Sequence, residues 1–460
     1  MHPTRWRRST HLVIGVVVLL VVIAVVTVTV LVTGAKRGAG AVALPPVPVA
    51  VVDAGVTPVS GDAPVPTEAG LAAALSAPVA DPNLGLITGR VTDAETGELL
   101  WQQSGDLPMQ PASTNKVLTA AAALVKLARD ERVTTKVVAA DASRPGVVVL
   151  VGGGDPTLSA MPKGQATWYP GAGRISDLAD QVRSSGTKVT GVLVDTSLYS
   201  GPEMAPGWDP ADIDGGDIAP MESVMIDAGR IQPTTVDSAR SLTPALDAGR
   251  ALANALGVDP AKVTTAPGPA TGQELASVQS APLIERLRQM MSASDNVMAE
   301  AIAREVAGHT QRPRSFAGAV DAVTATLSSV GVDMTGAVLF DSSGLSVMDR
   351  LTATTLDEVV QQAAGPDHPE MRPLLDLLPI AGGSGTLSDR FLDPETSRGS
   401  AGWLRAKTGS LTGTNALAGV VTDVAGRVLT FALISNNAGP TGRTAIDTLA
   451  ATLRSCGCGS

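Results

Sequence analysis

The chain has 460 residues, 44% of them apolar, which is enough for more than one ordinary core and predicts two packed domains. Its 34 Lys and Arg stand against 44 Asp and Glu, a net charge of −10 with no basic block beyond the N-terminal segment, so nucleic acid is excluded as a partner. The two cysteines, Cys456 and Cys458 in the terminal SCGCGS, leave no thiolate nucleophile or zinc cluster inside the fold and are expected in a solvent-exposed tail.

Residues 1–11 carry Arg5, Arg7 and Arg8 and are expected on the cytoplasmic side. From Leu12 to Val32 there are 21 residues without a charge. At ~1.5 Å per helical residue they span ~30 Å of hydrocarbon, so residues 12–33 read as a transmembrane anchor or a long signal segment with Ala41-Val-Ala43 as its cleavage site. Both readings export the remainder of the chain. Residues 34–82 are rich in Pro, Ala, Val and Gly without helical or strand period and read as a spacer.

Two short apolar runs, Leu86 to Val91 and Glu98 to Gln102, flank Asp-Ala-Glu-Thr-Gly and predict a β-hairpin. PASTNKVLTAAAAL at 111–124 then opens an alanine-rich helix. Strands are expected at 132–140, 146–156 and 188–195, with helices at 175–186 and 244–257, giving residues 136–275 a mixed α/β character of their own. The stretch 282–308 reads as two helices interrupted at Ser292 to Asp295. Helices at 315–331 and 352–365, a pair of strands at 404–423 and 427–437, and a last helix at 444–455 complete the chain. The expected organisation is a catalytic domain of residues 83–135 plus 276–455, an inserted module at 136–275, and a tail at 456–460.

Serine hydrolysis by a Ser-His-Asp triad needs a histidine, and the four present, His2, His11, His309 and His368, stand in no motif and at no metal-ligand spacing. What remains is a nucleophile activated by lysine. Only eight of the 34 cations are lysines, and a lysine, unlike an arginine, can lose its proton when buried. Ser113 and Lys116 at i, i+3 share one helix face, and a serine at a helix start has free backbone N–H donors and the positive end of the dipole behind it. A lysine desolvated or crowded by another cation takes the hydroxyl proton. A second copy, Ser185-Gly-Thr-Lys188, has no helix to align it and reads as a turn.

Two further motifs follow in order. Ser294-Asp295-Asn296 lies between two helices, and Lys407-Thr408-Gly409, which occurs once, enters a strand. This is the order and context used by serine acyl-transferases acting on β-lactams and D-alanyl peptides. Asp295 has a competing reading as the N-cap of the second helix. On these motifs the chain resembles the penicillin-binding DD-peptidases of the S13, low-molecular-mass class C type, D-alanyl-D-alanine carboxypeptidases and endopeptidases, over about residues 83 to 455. The 181 positions from Ser113 to Ser294 leave room for an inserted module, as in that family. GGGDPTL at 152–158, DSSGLS at 341–346 and LPIAGGSGTLSDRF at 378–391 are similar to family blocks, though each also reads as a glycine-rich turn.

The resemblance implies an α+β fold of the serine β-lactamase/DD-peptidase transpeptidase type, an antiparallel sheet flanked by helices with an inserted mixed α/β module after the membrane segment. It implies Ser113 as nucleophile, Lys116 as general base, Ser294 and Lys407 as proton relay and Asn296 as substrate and lysine positioner. Thr408, Gly409 and Ser410 would bind the substrate carboxylate, and the backbone N–H groups of Ser113 and Ser410 would form the oxyanion hole. No cofactor or metal is implied. The expected substrates are peptidoglycan stem peptides ending in D-Ala-D-Ala, with β-lactams as inhibitors and the cell membrane as location. The alternatives are a serine β-lactamase and a non-catalytic penicillin-binding scaffold.

Overall fold

The computed structural model describes residues 17, 19–28 and 61–457. The chain divides into two units, residues 1–58 and 59–460. Of the first, residues 19–28 are helical; the expected cytoplasmic segment and half of the expected membrane segment lie outside the described residues. Among the described residues no helix is long and apolar enough to cross a membrane.

In the second unit, a hairpin of β1 (Leu86–Asp93) and β2 (Leu99–Gln103) leads through a 3-10 turn into the helix Lys116–Lys126. There follow β3 (Thr134–Ala139), β4 (Val147–Val151), β5 (Gly191–Asp195), the short β6 (Thr264–Thr265) and β7 (Glu274–Gln279), with helices Ile175–Ser184 and Pro244–Leu256 between them. Helices Leu283–Ala293, Asn296–His309, Phe316–Ser329 and Ala353–Ala364 come next, then β8 (Leu404–Leu411), β9 (Thr414–Thr422), β10 (Val428–Asn436) and the helix Gly442–Ser455.

One sheet has the order β2-β1-β10-β9-β8 and is antiparallel throughout. Side chains of successive strand residues point to opposite faces. In β10, Leu429, Phe431 and Leu433 accordingly join one apolar cluster with Ile446, Leu449 and Leu453 of the last helix. Ala432 and Ile434 face the other way, into the cluster built by the helices around Lys116–Lys126 and Asn296–His309. The alanine run Ala120–Ala123 is fully buried there, and small side chains are what let that helix approach its neighbours closely. The region expected as a pair of strands is three, because Thr412-Gly413, with Gly413 at φ +71°, turns the chain between β8 and β9.

The second sheet, β6-β5-β4-β3-β7, is mixed: β4, β5 and β6 are parallel and β3 is antiparallel to both of its neighbours. Each parallel step is bridged by a helix, as parallel pairing requires. This sheet runs from Thr134 to Gln279, so the expected module boundaries at 136 and 275 cut through β3 and β7. Nor is that module closed on itself, since Tyr169, Trp208, Ile218 and Met225 lie in the apolar cluster of the catalytic helices.

Two other expectations need correction. Residues 68–79 of the presumed spacer form a helix, Glu68–Val79, capped by Thr67 and seated by the buried Leu71 and Leu75 in the cluster of the last helix. Two leucines one turn apart among alanines are enough to bury a helix against a waiting face, yet too few to show as an amphipathic stripe. Cys456 in the tail is likewise buried and disulfide-bonded; the chain's other cysteine, Cys458, is outside the described residues.

Candidate active site

Ser113 lies in the 3-10 turn Ala112–Asn115, immediately before Lys116 starts the α-helix. The two positions therefore share a face, and Lys116 Nζ donates to Ser113 Oγ at 2.9 Å. Lys116 is fully buried, and its Nζ also donates to Asn296 Oδ1 at 2.5 Å and to the Ser343 carbonyl at 2.8 Å.

The second motif is placed by a break between helices. Ser294 ends Leu283–Ala293 in the left-handed conformation, φ 57° and ψ 38°, which costs a non-glycine residue about 1–2 kcal/mol. Asp295 is the N-cap of Asn296–His309, accepting from Met298 N at 3.0 Å, so the capping reading of this residue holds. Because the chain reverses there, Ser294 turns toward β8 while Asn296 turns toward Lys116. Asn296 donates its Nδ2 to the Asp217 carbonyl at 3.0 Å, which fixes the amide with its oxygen toward the lysine.

The third motif comes from β8. Lys407, also fully buried, donates to Ser294 Oγ at 2.9 Å and to the Thr408 carbonyl at 2.8 Å. Gly409 faces the turn that carries Ser113: a Cβ there would fall 2.6 Å from the Pro111 carbonyl, so only glycine lets the strand come this close. Thr408 and Ser410 line, with Ser113, Ser294 and Asn296, a cleft of about 740 Å³. The duplicate Ser185–Lys188 is a turn after the helix Ile175–Ser184, with Gly186 at φ +76°.

The electrostatics differ between the two lysines. Burial pushes Lys116 down to about 8, although Asp341, Asp295, Glu300 and Asp217 favour its charged form. Lys407 is pushed well below the usual lysine range by burial first and then by the cations Lys116 and Arg390. Crowding by a second cation, expected for Lys116, thus acts on Lys407, while desolvation acts on both.

Sequence reasoning assigned no role to two groups in the site. One is Ser343, whose carbonyl accepts from Lys116. It belongs to the 341–346 turn, organised by Asp341, which accepts from Gly344 N at 2.6 Å, Ser346 N at 2.7 Å and Trp208 Nε1 at 2.7 Å. The DSSGLS block was the available signal, but a glycine-rich turn on its own gives no partner. The other is Thr386, which accepts from Thr408 Oγ1 at 2.9 Å and, with Asp389 and Arg390 of the same block, lines the cleft.

An antiparallel sheet between helical layers, carrying a Ser–Lys pair that meets a serine, an asparagine and a second lysine from two other elements, defines a serine hydrolase of the D-alanyl peptidase class. The model of the D-Ala-D-Ala carboxypeptidase 3 (S13) family matches residues 71–242 and 236–453, and a model described as Carboxypeptidase Rv3627c-like, N-terminal domain, matches residues 1–58. The chain belongs to the S13 family and is a serine-type D-Ala-D-Ala carboxypeptidase. It is 70% identical to carboxypeptidase DacB of Mycolicibacterium smegmatis and 64% identical to carboxypeptidase Rv3627c of Mycobacterium tuberculosis, each alignment covering 100% of both chains. Its fold is similar to penicillin binding protein 4 (dacB) of Haemophilus influenzae, with TM-score 0.67 and 23% identity over 84% of this chain and 98% of that one.

Proposed function

We propose that Ser113 cleaves the bond between the last two D-alanines of peptidoglycan stem peptides through an acyl-enzyme. The observation that carries this is the position of Lys116: a buried amine lowered to about 8, 2.9 Å from the Ser113 hydroxyl. Neutral Lys116 takes the Ser113 proton as Oγ bonds to the carbonyl carbon, and Asn296 holds the amine in place while binding a substrate amide. Backbone N–H groups of Ser113 and Ser410 stabilise the oxyanion. As the C–N bond breaks, Ser294 and Lys407 pass a proton to the departing amine, and water then cleaves the ester. Hydroxyls of Thr408 and Ser410 bind the terminal carboxylate, with Gly409 giving that strand its close approach.

The same centre acylates on β-lactams and acts on cross-links as an endopeptidase where the cleft admits them. The test incubates separate samples of the full chain with fluorescent penicillin and with a D-Ala-D-Ala-terminated peptide. A stable label, lost in Ser113→Ala, together with D-alanine release supports this reading. Rapid turnover of the label points to a β-lactamase, and no label at all sinks both.

The reading extends to location. A 21-residue uncharged run flanked by cations supports a single-pass anchor with the catalytic unit outside the cytoplasm. The test is membrane fractionation with protease added to intact cells; protein that is soluble inside the cell overturns it.

A further inference from the structure

The Ser294–Asn296 turn is held from behind by the inserted module. Asp295 Oδ2 accepts from the Tyr169 hydroxyl at 2.5 Å, while its Oδ1 caps the helix. The same hydroxyl accepts from Arg230 Nη1 at 2.9 Å, and the Arg230 guanidinium lies 4.2 Å from the Trp168 ring centroid. Tyr169 is 2% exposed, and neither it nor Arg230 nor Asp295 lines the cleft. A second tie runs through backbone: Arg240 donates to the Gly216 and Ala228 carbonyls at 2.9 and 2.7 Å, and the residue after Gly216 is Asp217, whose carbonyl receives Asn296 Nδ2.

The charges suit a rigid support. Burial raises the Asp295 carboxyl, but Arg240, Arg230 and the Tyr169 hydrogen bond outweigh it and hold the group ionised, below the ordinary carboxylate range. Burial first, and then the Asp295 charge, keep the Tyr169 hydroxyl protonated and therefore a donor. A left-handed serine is strained and persists where its surroundings hold it, and the two outer residues of this turn meet two different lysines at 2.9 and 2.5 Å.

We infer that Tyr169 and Arg230 of the inserted module are positioning residues for the acylation step: they lock Asp295, and through it hold Ser294 against Lys407 and Asn296 against Lys116. The role rests on Ser113 and Lys116 being the acylating pair. It gives the insertion a part in the chemistry as well as in the shape of the cleft.

The experiment measures acylation of the full chain by fluorescent penicillin, resolving the non-covalent binding constant from the first-order acylation constant. Tyr169→Phe keeps the ring and removes only the hydroxyl. The expected result is a fall of tenfold or more in the acylation constant, with binding and Tm close to wild type. Tyr199→Phe is the control, since its hydroxyl donates to Gly154 in the same module at 3.3 Å and touches none of the three motifs; it leaves the acylation constant unchanged. A folded Tyr169→Phe that acylates within twofold of wild type overturns the inference, as does an equal loss in Tyr199→Phe. Labelling of Ser113→Ala as strong as wild type overturns the reading of the site beneath it, a failure that is distinct from either.

Discussion

Lys407 Nζ meets Ser294 Oγ at 2.9 Å, a strand lysine joined to a left-handed serine that precedes it by 113 residues. Burial and the two neighbouring cations hold this lysine well below its usual range, which favours its neutral form. Arginine in its place keeps the charge and cannot release the proton. Lys407→Arg is expected to lower the acylation constant by roughly 10²–10⁴, the usual weight of general acid–base help. Wild-type acylation in that variant would remove the relay.

With Lys116 as the proposed base, its titration is expected to set the acid limb of the acylation rate. Lowered to about 8, it is protonated below that pH and unable to act as base, so the rate is expected to fall about tenfold per pH unit below it. The sign for stability follows from the same shift. Between about 8 and the usual 10.5 the unfolded chain holds the proton and the folded one does not, so this group makes the fold more stable as pH rises through that window and contributes nothing to the slope below it. Tm measured against pH for wild type and Lys116→Met checks this; identical slopes would exclude it.

Asn296→Asp puts a carboxylate where the amide oxygen now accepts from Lys116 at 2.5 Å. An opposite charge at that distance favours the ammonium, so the acid limb is expected to move up by about one unit or more. Activity at neutral pH falls by a corresponding factor of ten or more and returns in part at high pH. A limb that stays in place would mean that Asn296 does not touch the working base.

Gly344 has φ +80°, and a Cβ on it would lie 1.9 Å from the carbonyl of Ala112, the residue before Ser113. Gly344→Ala is expected to cost at least about 1–3 kcal/mol of stability and to displace the turn that carries Ser113. Gly164 has the same φ in open space, so Gly164→Ala shows the backbone strain alone. The discriminating measurement is acylation, lost in the first and retained in the second.

Thr408 and Ser410 line the cleft beside Ser113. If their hydroxyls take the terminal carboxylate, Ser410→Ala raises KM for a D-Ala-D-Ala peptide roughly tenfold, as a lost hydrogen bond to a charge would. KM for the same peptide ending in an amide stays unchanged. Equal effects on the two peptides would assign Ser410 to general packing.

Much of the chemistry was legible because it is local. Ser113 and Lys116 lie on one helix face whatever the rest of the chain does, and Asp295 caps the helix that follows it. The helix Glu68–Val79 was not legible, since two leucines among alanines declare no face until the last helix supplies one to cover them. Thr412-Gly413 was hidden inside a run of strand-forming residues that reads equally well as one strand.

From sequence alone come the residue types, their order, the single histidine-free route to a nucleophile, and the three motifs that carry it. Tertiary structure alone decides that Asn296 turns to Lys116 and Ser294 to Lys407, that Ser343 offers a carbonyl, and that Tyr169 braces Asp295. It also decides which lysine is tuned by what: burial sets Lys116, while Lys407 feels a second cation as well. The physical reason is that proton affinity depends on solvent exclusion and on charges a few ångströms away, and most of those neighbours come from segments far apart in the chain.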